Sequence, residues 1–224
     1  MNVLFFHGFS ANPADLEKSV TLLTRNGHTV FTPAMTTLGA DGKNYGPPGA
    51  WLKEAGTLFQ TYANTTEHPF CIAGHSLGGV LCARILTSPT LQKTYIDKVA
   101  GCAFLATPAG IDEKFLHFRN AQSIGQTPWP FALQVKMFSF LRESDTFYRK
   151  VPVPSVVLQG GSDRHIPPDS GKTLAGLLGS NCTALYHREK ADHFFPNGSS
   201  TAARFLQKKL ANFITTMSIY DNDA

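Results

Sequence analysis

Short apolar runs alternate along the chain with longer segments in which apolar residues recur at helical spacing. The runs are typical of buried strands, and the spaced segments are typical of amphipathic helices. The predicted strands cover residues 2–6, 29–32, 69–73, 99–106, 155–159 and 184–187. The predicted helices cover residues 13–25, 50–63, 77–87 and 200–217. Because strands separated by helices form right-handed crossover units, this order predicts an α/β fold with a mostly parallel sheet covered on both faces.

Side chains capable of chemistry follow the carboxyl ends of several predicted strands. These positions are His7, Ser76, Thr107, Asp163 and the loop after His187. Ligands of open parallel sheets bind outside this edge. The sequence therefore predicts a functional site there.

Residues 71–79, CIAGHSLGG, indicate a sharp turn between a strand and a helix, with Ser76 at its apex. A nucleophile elbow packs its strand closely on its helix and strains the serine backbone, so Gly74 and Gly78 must lack side chains. The helix that begins at Leu77 points unpaired backbone N–H groups at the place where negative charge would develop on a substrate. A glycine–serine turn without chemistry is the alternative interpretation.

A serine hydroxyl is a poor nucleophile, so Ser76 needs a base and the base needs an orienting carboxylate. The chain has eight histidines. Among them His193 lies on a loop between the last predicted strand and the final helix, which makes it the candidate base. His187 is the nearest competitor, but it ends a strand and is expected to face solvent or cap the sheet. His75 is expected to pack rather than react.

The candidate carboxylate is Asp163, in the glycine-rich turn 159–167 that follows a predicted strand. Solvation alone would also explain an aspartate in such a turn. Asp192 is the sequence neighbour of His193, and its side chain must diverge from that of the histidine. We therefore expect Asp163, rather than Asp192, to orient the base.

The segment 109–150 interrupts the alternation of strands and helices and is rich in aromatic residues. A loop of this length inside a compact domain is usually a lid or cap with a few short helices of its own. Some of its aromatics are expected to form the core of the cap, and the others to face the cleft above Ser76. Trp129 and Phe138 are the predicted substrate-binding residues.

Composition narrows the classes of function. With 224 residues, 42% of them hydrophobic and 16% charged, the chain fits one globular domain, 1–224, that includes the cap. The net charge of +4 is scattered, apart from groupings such as Arg204, Lys208 and Lys209. Nucleic-acid binding is therefore not expected, while mild attraction to an anionic substrate or surface stays open. No apolar run has the length of a membrane span and no secretory signal begins the sequence, so a cytoplasmic protein without stable membrane insertion is expected.

The four cysteines stand singly in apolar stretches, at Cys71, Cys82, Cys102 and Cys182. They are expected to be buried thiols rather than metal ligands or disulfide partners, as in a reducing compartment. The sequence contains neither a metal-ligand cluster nor a phosphate-binding glycine loop, so no metal or other cofactor is expected. The oligomeric state stays open.

The order Ser76, Asp163, His193 is the chain order of α/β-hydrolase triads. Together with residues 7–9 after the first strand, the glycine-rich elbow and residues 192–194, it makes the chain resemble a compact α/β-hydrolase of the carboxylesterase and monoacylglycerol-lipase type. The resemblance covers nearly the whole chain. It implies a three-layer α/β fold with a mostly parallel sheet, a reduced N-terminal hairpin and a small cap.

The same resemblance implies that the backbone N–H groups of Phe9 and Leu77 form an oxyanion hole. This assignment agrees with the sequence, because Leu77 opens a helix and Gly8 lets the chain turn closely over the cleft. The family commonly has glycine before the catalytic histidine, where this chain has Asp192. That departure places a second carboxylate beside the candidate base.

The leading hypothesis is a serine carboxylesterase that cleaves small-molecule esters with short to medium acyl chains through an acyl-enzyme on Ser76. His193 would act as general base and then as general acid, with Asp163 holding its imidazole. A thioesterase would use the same residues. A weakly catalytic protein-interaction module on a hydrolase fold is the third hypothesis, although a module kept only for its surface would not need all three residues.

Overall fold

A computed structural model describes residues 1–43, 45–112 and 131–222 of the chain, with a parallel sheet at its centre. The strands are β1 (Asn2–Phe6), β2 (Thr29–Phe31), β3 (Phe70–His75), β4 (Val99–Leu105), β5 (Ser155–Gly160) and β6 (Cys182–Arg188). They are hydrogen-bonded in the order β2-β1-β3-β4-β5-β6, and every neighbouring pair is parallel. The predicted mostly parallel sheet is therefore confirmed, and within the described ranges it contains no antiparallel strand.

Seven α-helices surround the sheet in the described part of the chain. They are α1 (Glu17–Arg25), α2 (Pro48–Thr65), α3 (Leu77–Leu86), α4 (Pro89–Tyr95), α5 (Phe131–Tyr148), α6 (Ser170–Leu178) and α7 (Thr201–Asn222). A 3-10 turn at Pro13–Leu16 precedes α1, and the Asn12 side chain accepts the backbone N–H of Ala14 at its start. None of these described helices is both long and apolar enough to cross a membrane.

Two of these helices lie where the apolar pattern predicted none. Helix α4 begins at Pro89, which the sequence pattern indicated only as a stop for α3. Proline ends one helix but fits the first turn of the next, because that turn has no use for its missing N–H. Helix α6 has the sequence SGKTLAGLL, in which Leu174 and Leu178 are buried. The glycines and small polar residues between the apolar ones obscure the helical period in the sequence.

Both faces of the sheet are covered, which produces the expected three layers. Along β1, Leu4 and Phe6 pack on one side while Val3 and Phe5 pack on the other, because successive side chains of a strand point to opposite faces. Helices α1 and α7 cover the Val3 side, and α2, α3, α5 and α6 cover the Leu4 side. These four side chains of β1 are fully buried.

Helix α5 docks on the body of the domain through its carboxyl-terminal half. The buried hydroxyl of Tyr148 donates to the carbonyl oxygen of Pro108 at 2.7 Å. Arg84 of α3 pairs with Glu143 at 3.0 Å, and its guanidinium lies 3.9 Å from the centre of the Phe147 ring. This half of the helix is thereby fixed to α3 and to the loop that follows β4.

The described part of the segment 109–150 contains one helix of 18 residues, α5. Residues 113–130 lie outside the described residues, and with them the predicted substrate-binding residue Trp129. The second predicted residue, Phe138, lies on α5 and is half-buried.

Candidate active site

Ser76 occupies the tight turn between β3 and α3. Its φ of 55° and ψ of −122° lie in a region that residues with a Cβ rarely adopt, at a cost of about 1–3 kcal/mol. An added Cβ at Gly74 would lie 2.3 Å from the carbonyl carbon of Gly78, and one at Gly78 would lie 2.5 Å from the Phe6 carbonyl oxygen. The two glycines are therefore required by direct backbone packing, as the elbow motif predicts.

Asp163 and His193 form a buried hydrogen-bonded pair. The distance from His193 Nδ1 to Asp163 Oδ2 is 2.8 Å, and Asp163 Oδ1 accepts the backbone N–H groups of His165 and Ile166 at 2.8 Å each. Burial alone would raise the pKa of Asp163, but the hydrogen bond and charge of His193 and the two backbone donors together lower it. An ionised Asp163 keeps the Nδ1 proton on His193 and leaves Nε2 as the basic nitrogen.

The turns that carry this pair are bonded to each other. The Gly161 N–H donates to the Arg188 carbonyl and the Ser162 N–H donates to the Ala191 carbonyl, both at 2.9 Å. An added Cβ at Gly160 would lie 2.4 Å from the Ala191 carbonyl oxygen. The turn after β5 therefore packs directly on the turn after β6, which fixes the separation of the carboxylate and the imidazole.

A cavity of about 300 Å³ brings Ser76 and His193 to one place. Its other described lining residues are Phe9, Ser10, Ala11, Asp15, Leu77, Pro108, Met137, Phe138, Leu141, His165, Ile166 and Phe194. Among the described residues, no hydrogen bond joins the Ser76 hydroxyl to His193. Such catalytic hydrogen bonds are often long before substrate binds.

The predicted oxyanion residues Phe9 and Leu77 line the same cavity. The N–H of Leu77 belongs to the first turn of α3, where backbone donors have no acceptor within the helix. An added Cβ at Gly8 would lie 3.0 Å from the Ser76 Cβ, so the loop after β1 passes directly over the elbow. The Phe9 ring is held between Tyr45 and Trp51, with ring centroids 5.3 and 5.4 Å away.

His75 packs behind the site, as expected from sequence, and it also bonds to the site. Its Nε2 lies 2.9 Å from the carbonyl oxygen of His193, and the two ring centroids are 4.7 Å apart. Burial, with a smaller contribution from His193, lowers the pKa of His75 to about 3. His75 is therefore neutral, and its Nε2–H donates to the loop that carries the candidate base.

The two alternatives to His193 and Asp163, His187 and Asp192, are both exposed. His187 is exposed at the end of β6. Asp192 is exposed, and its Oδ1 accepts the backbone N–H of Phe194 at 3.0 Å. That bond turns the Asp192 carboxylate along its own loop, so it does not compete for His193 Nδ1.

His165 is a residue of the site that the sequence analysis did not single out. It lines the cavity, and its ring centroid lies 4.8 Å from that of His193 and 5.2 Å from that of Phe194. Its position two residues after Asp163 was the available signal. The packing of one turn on the other brings its ring to His193, and the two-residue spacing from Asp163 does not predict that packing.

Within the described ranges, no three His, Cys, Asp or Glu side chains are grouped so that they could hold a metal ion. The four cysteines are free thiols, with Cys71, Cys82 and Cys102 buried and Cys182 half-buried. Burial raises the pKa of Cys71 to about 12, which makes it a thiol rather than a reactive thiolate at neutral pH.

Comparison with known protein families matches residues 3–208 to the alpha/beta hydrolase family. The match spans most of the chain and agrees with the parallel sheet, the three layers and the elbow. The chain therefore belongs to the alpha/beta hydrolase family, and its fold is that of a hydrolase. A comparison with curated protein sequences finds no match.

Solved structures with a similar fold include lipases and esterases. A monoacylglycerol lipase from Paleococcus ferrophilus is 15% identical with a TM-score of 0.67, over 96% of this chain and 94% of the lipase. The Arabidopsis methylesterase MES16 is 19% identical with a TM-score of 0.60, over 95% of this chain and 98% of the methylesterase. A thioesterase domain from the curacin biosynthetic pathway is 13% identical with a TM-score of 0.58, over 93% and 90% of the two chains. At these identities the likeness shows the fold alone.

Proposed function

We propose that the protein is a serine carboxylesterase that cleaves esters with short to medium acyl chains through an acyl-enzyme. The observation that carries this proposal is the convergence at one cavity of the strained Ser76 and a His193 bonded to buried Asp163. A nucleophile, a base and an orienting acid are the three groups that serine-dependent acyl transfer requires. The lipase and methylesterase among the similar folds are consistent with this chemistry.

In the proposed reaction, Ser76 Oγ attacks the ester carbonyl while His193 Nε2 takes its proton. The backbone N–H groups of Phe9 and Leu77 stabilise the oxyanion of the tetrahedral intermediate. His193 then gives the proton to the departing alcohol, which leaves the acyl group on Ser76. A water molecule, deprotonated by His193, attacks the acyl carbonyl, and the proton returns to Ser76 as the carboxylic acid leaves.

The proposed site for the acyl chain is the part of the cavity lined by Met137, Phe138 and Leu141 of α5. These side chains are apolar, and α5 acts in this proposal as the described part of a cap. A cavity of about 300 Å³ is at the small end of the range for ligand sites. This size favours short to medium chains.

Thioester hydrolysis is the second candidate reaction, since the same nucleophile, base and oxyanion donors would serve it. The thioesterase domain among the similar folds shares this architecture. Matched esters and thioesters with the same acyl group distinguish the two reactions. We expect a higher kcat/KM on the oxygen ester.

A fluorophosphonate probe tests whether the protein acts as a serine hydrolase at all. The wild-type protein should be labelled and the folded Ser76→Ala variant should not. A second variant, Ser180→Ala, is the matched control, because Ser180 is an exposed serine between α6 and β6 and is not among the described residues that line the cavity. Absence of labelling in wild type would leave only the interaction-module hypothesis.

A further inference from the structure

The described lining of the active-site cavity carries one acidic side chain, Asp15, and no lysine or arginine. The rest of that lining consists of apolar residues, serines and histidines. Asp15 is therefore the one carboxylate of the described lining, and it can act on the charge of a bound molecule. The other residues supply shape and apolar area.

Asp15 is held at the cavity wall by its own turn. Its Oδ2 accepts the Asn12 backbone N–H at 2.9 Å, in the capping box that begins the 3-10 turn Pro13–Leu16. The residue is half-buried. Among the described residues, no lysine or arginine forms an ion pair with it. Its negative charge is therefore fixed in place without a neutralising partner there.

The charge of Asp15 acts on the loop that crosses the elbow. Burial is the main influence on His7 and lowers its pKa, while the hydrogen bond with Gly8 and then the charges of Asp15 and Glu54 oppose this shift. His7 directly precedes Gly8 and Phe9, which lie over and beside Ser76. Asp15 therefore lies close to the loop that passes over Ser76, and it lines the same cavity as Phe9 and Ser76.

The net charge of the whole protein is opposite in sign to the charge of Asp15. Its net charge is +4, and a groove between α1 and α7 collects Lys18, Arg25, Arg204 and Lys208. Exposed charges are screened over about 8–10 Å at ordinary salt concentrations. A substrate inside the cavity therefore responds to Asp15 more strongly than to that groove.

We infer that the substrate is an uncharged or cationic ester, and that Asp15 determines this preference and disfavours substrates that carry a carboxylate. The inference rests on the proposed esterase function and narrows its substrate class. The positive net charge of the protein would by itself favour anionic substrates. The inferred preference has the opposite sign.

The test uses pairs of esters that have the same shape and different charge. One pair compares a choline ester with its carbon isostere, in which a tert-butyl group replaces the trimethylammonium group; a second pair places the same replacement at the end of the acyl chain. Wild type should favour the cationic member of at least one pair. In Asp15→Asn that ratio of kcat/KM values should fall about fivefold, as expected for loss of one partly exposed charge interaction.

Three further variants make the result specific. Asp15→Glu keeps the charge and should keep the preference. Glu17→Gln removes a nearby carboxylate that faces the basic groove rather than the cavity, and should leave the ratio unchanged. Asn at position 15 can still accept the Asn12 N–H, and thermal melting checks that the Asp15→Asn protein is folded.

The inference is overturned if the charge preference of wild type and Asp15→Asn is the same for both pairs. It is also overturned if Glu17→Gln changes the ratio as much as Asp15→Asn does, because the effect would then be one of net charge. If neither the esters nor the fluorophosphonate probe reacts with wild type, it is the proposed function that fails.

Discussion

The two walls of the active-site cavity are built differently. The sheet-side wall, formed by the turns after β1, β3, β5 and β6, holds Ser76 and His193 in turns that are fixed by hydrogen bonds and by backbone contacts too close for a Cβ. The α5 wall presents the side chains of Met137, Phe138 and Leu141 from one helix. The first wall is set by backbone packing and hydrogen bonds, and the second by side-chain packing.

The difference matches what each wall is proposed to do. Acyl transfer needs reacting atoms placed within a few tenths of an ångström, and a displacement of about 1 Å can reduce the rate about 10²-fold. Accommodation of an acyl chain needs only apolar area, worth roughly 0.8 kcal/mol per methylene. Substitutions on the sheet side should therefore act on kcat, and substitutions on α5 should act on the choice of substrate.

The largest effect is expected at Ser76. In Ser76→Ala, kcat should fall by about 10⁴ or more, because only the oxyanion donors and substrate binding remain to assist hydrolysis. Steady-state kinetics on a p-nitrophenyl ester measures this change, and circular dichroism shows whether the variant is folded. A folded variant with undiminished turnover would contradict the hydrolase mechanism itself.

The next largest effect separates the two aspartates near His193. Asp163→Asn should reduce kcat about 10³-fold to 10⁴-fold, because an amide at this position favours the wrong imidazole tautomer. Asp192→Asn should have a far smaller effect, since its carboxylate bonds its own loop at Phe194. Kinetics of the two variants side by side checks the assignment, and the reverse order of severity would show that Asp163 is not the acid.

An intermediate effect is expected at His75, which supports the sheet-side wall without lining the cavity. His75→Phe removes the donor to the His193 carbonyl and should lower kcat by up to about 10²-fold, with little change in KM. His75→Gln retains an N–H donor and should recover most of the rate. Equal activity of both variants with wild type would mean that this hydrogen bond does not position the base.

The smallest effect is expected on the α5 wall and appears in selectivity. For wild type, kcat/KM on p-nitrophenyl esters should rise with acyl length until the cavity is full and then fall. Phe138→Ala should shift this optimum and change the longer esters several-fold, with hydrolysis of the acetate nearly intact. Val135→Ala, on the same helix but outside the described lining, is the control, and identical profiles for all three proteins would place chain-length selection elsewhere.

The sheet-side wall could be predicted from sequence because a parallel sheet brings the ends of its strands to one edge. Ser76, Asp163 and His193 each follow a strand, so the order of elements alone places them near each other. The contact of His165 with His193 could not be predicted, because it depends on how one turn packs on another. The number of residues between His165 and His193 carries no information about the distance between their rings.

The α5 wall was less predictable for a related reason. The aromatics of the segment divide between packing and lining: Phe140 and Tyr148 are buried in the core, while Phe138 reaches the cavity. All three are aromatic residues of one helix, and the face of the helix on which each lies separates them. The missed helix α6 shows the same limit, since its small residues give no clear period.

The bonding between the turns after β5 and β6 has a consequence for how the chain can change in length. An inserted residue at 160–163 or 188–193 would break the hydrogen bonds at Gly161 and Ser162. The same insertion would move Asp163 away from His193. A change of length within the segment 109–150 leaves those bonds untouched. Related hydrolases are therefore expected to keep these two turns at constant length, and insertions should be tolerated better in the segment 109–150 than in either turn.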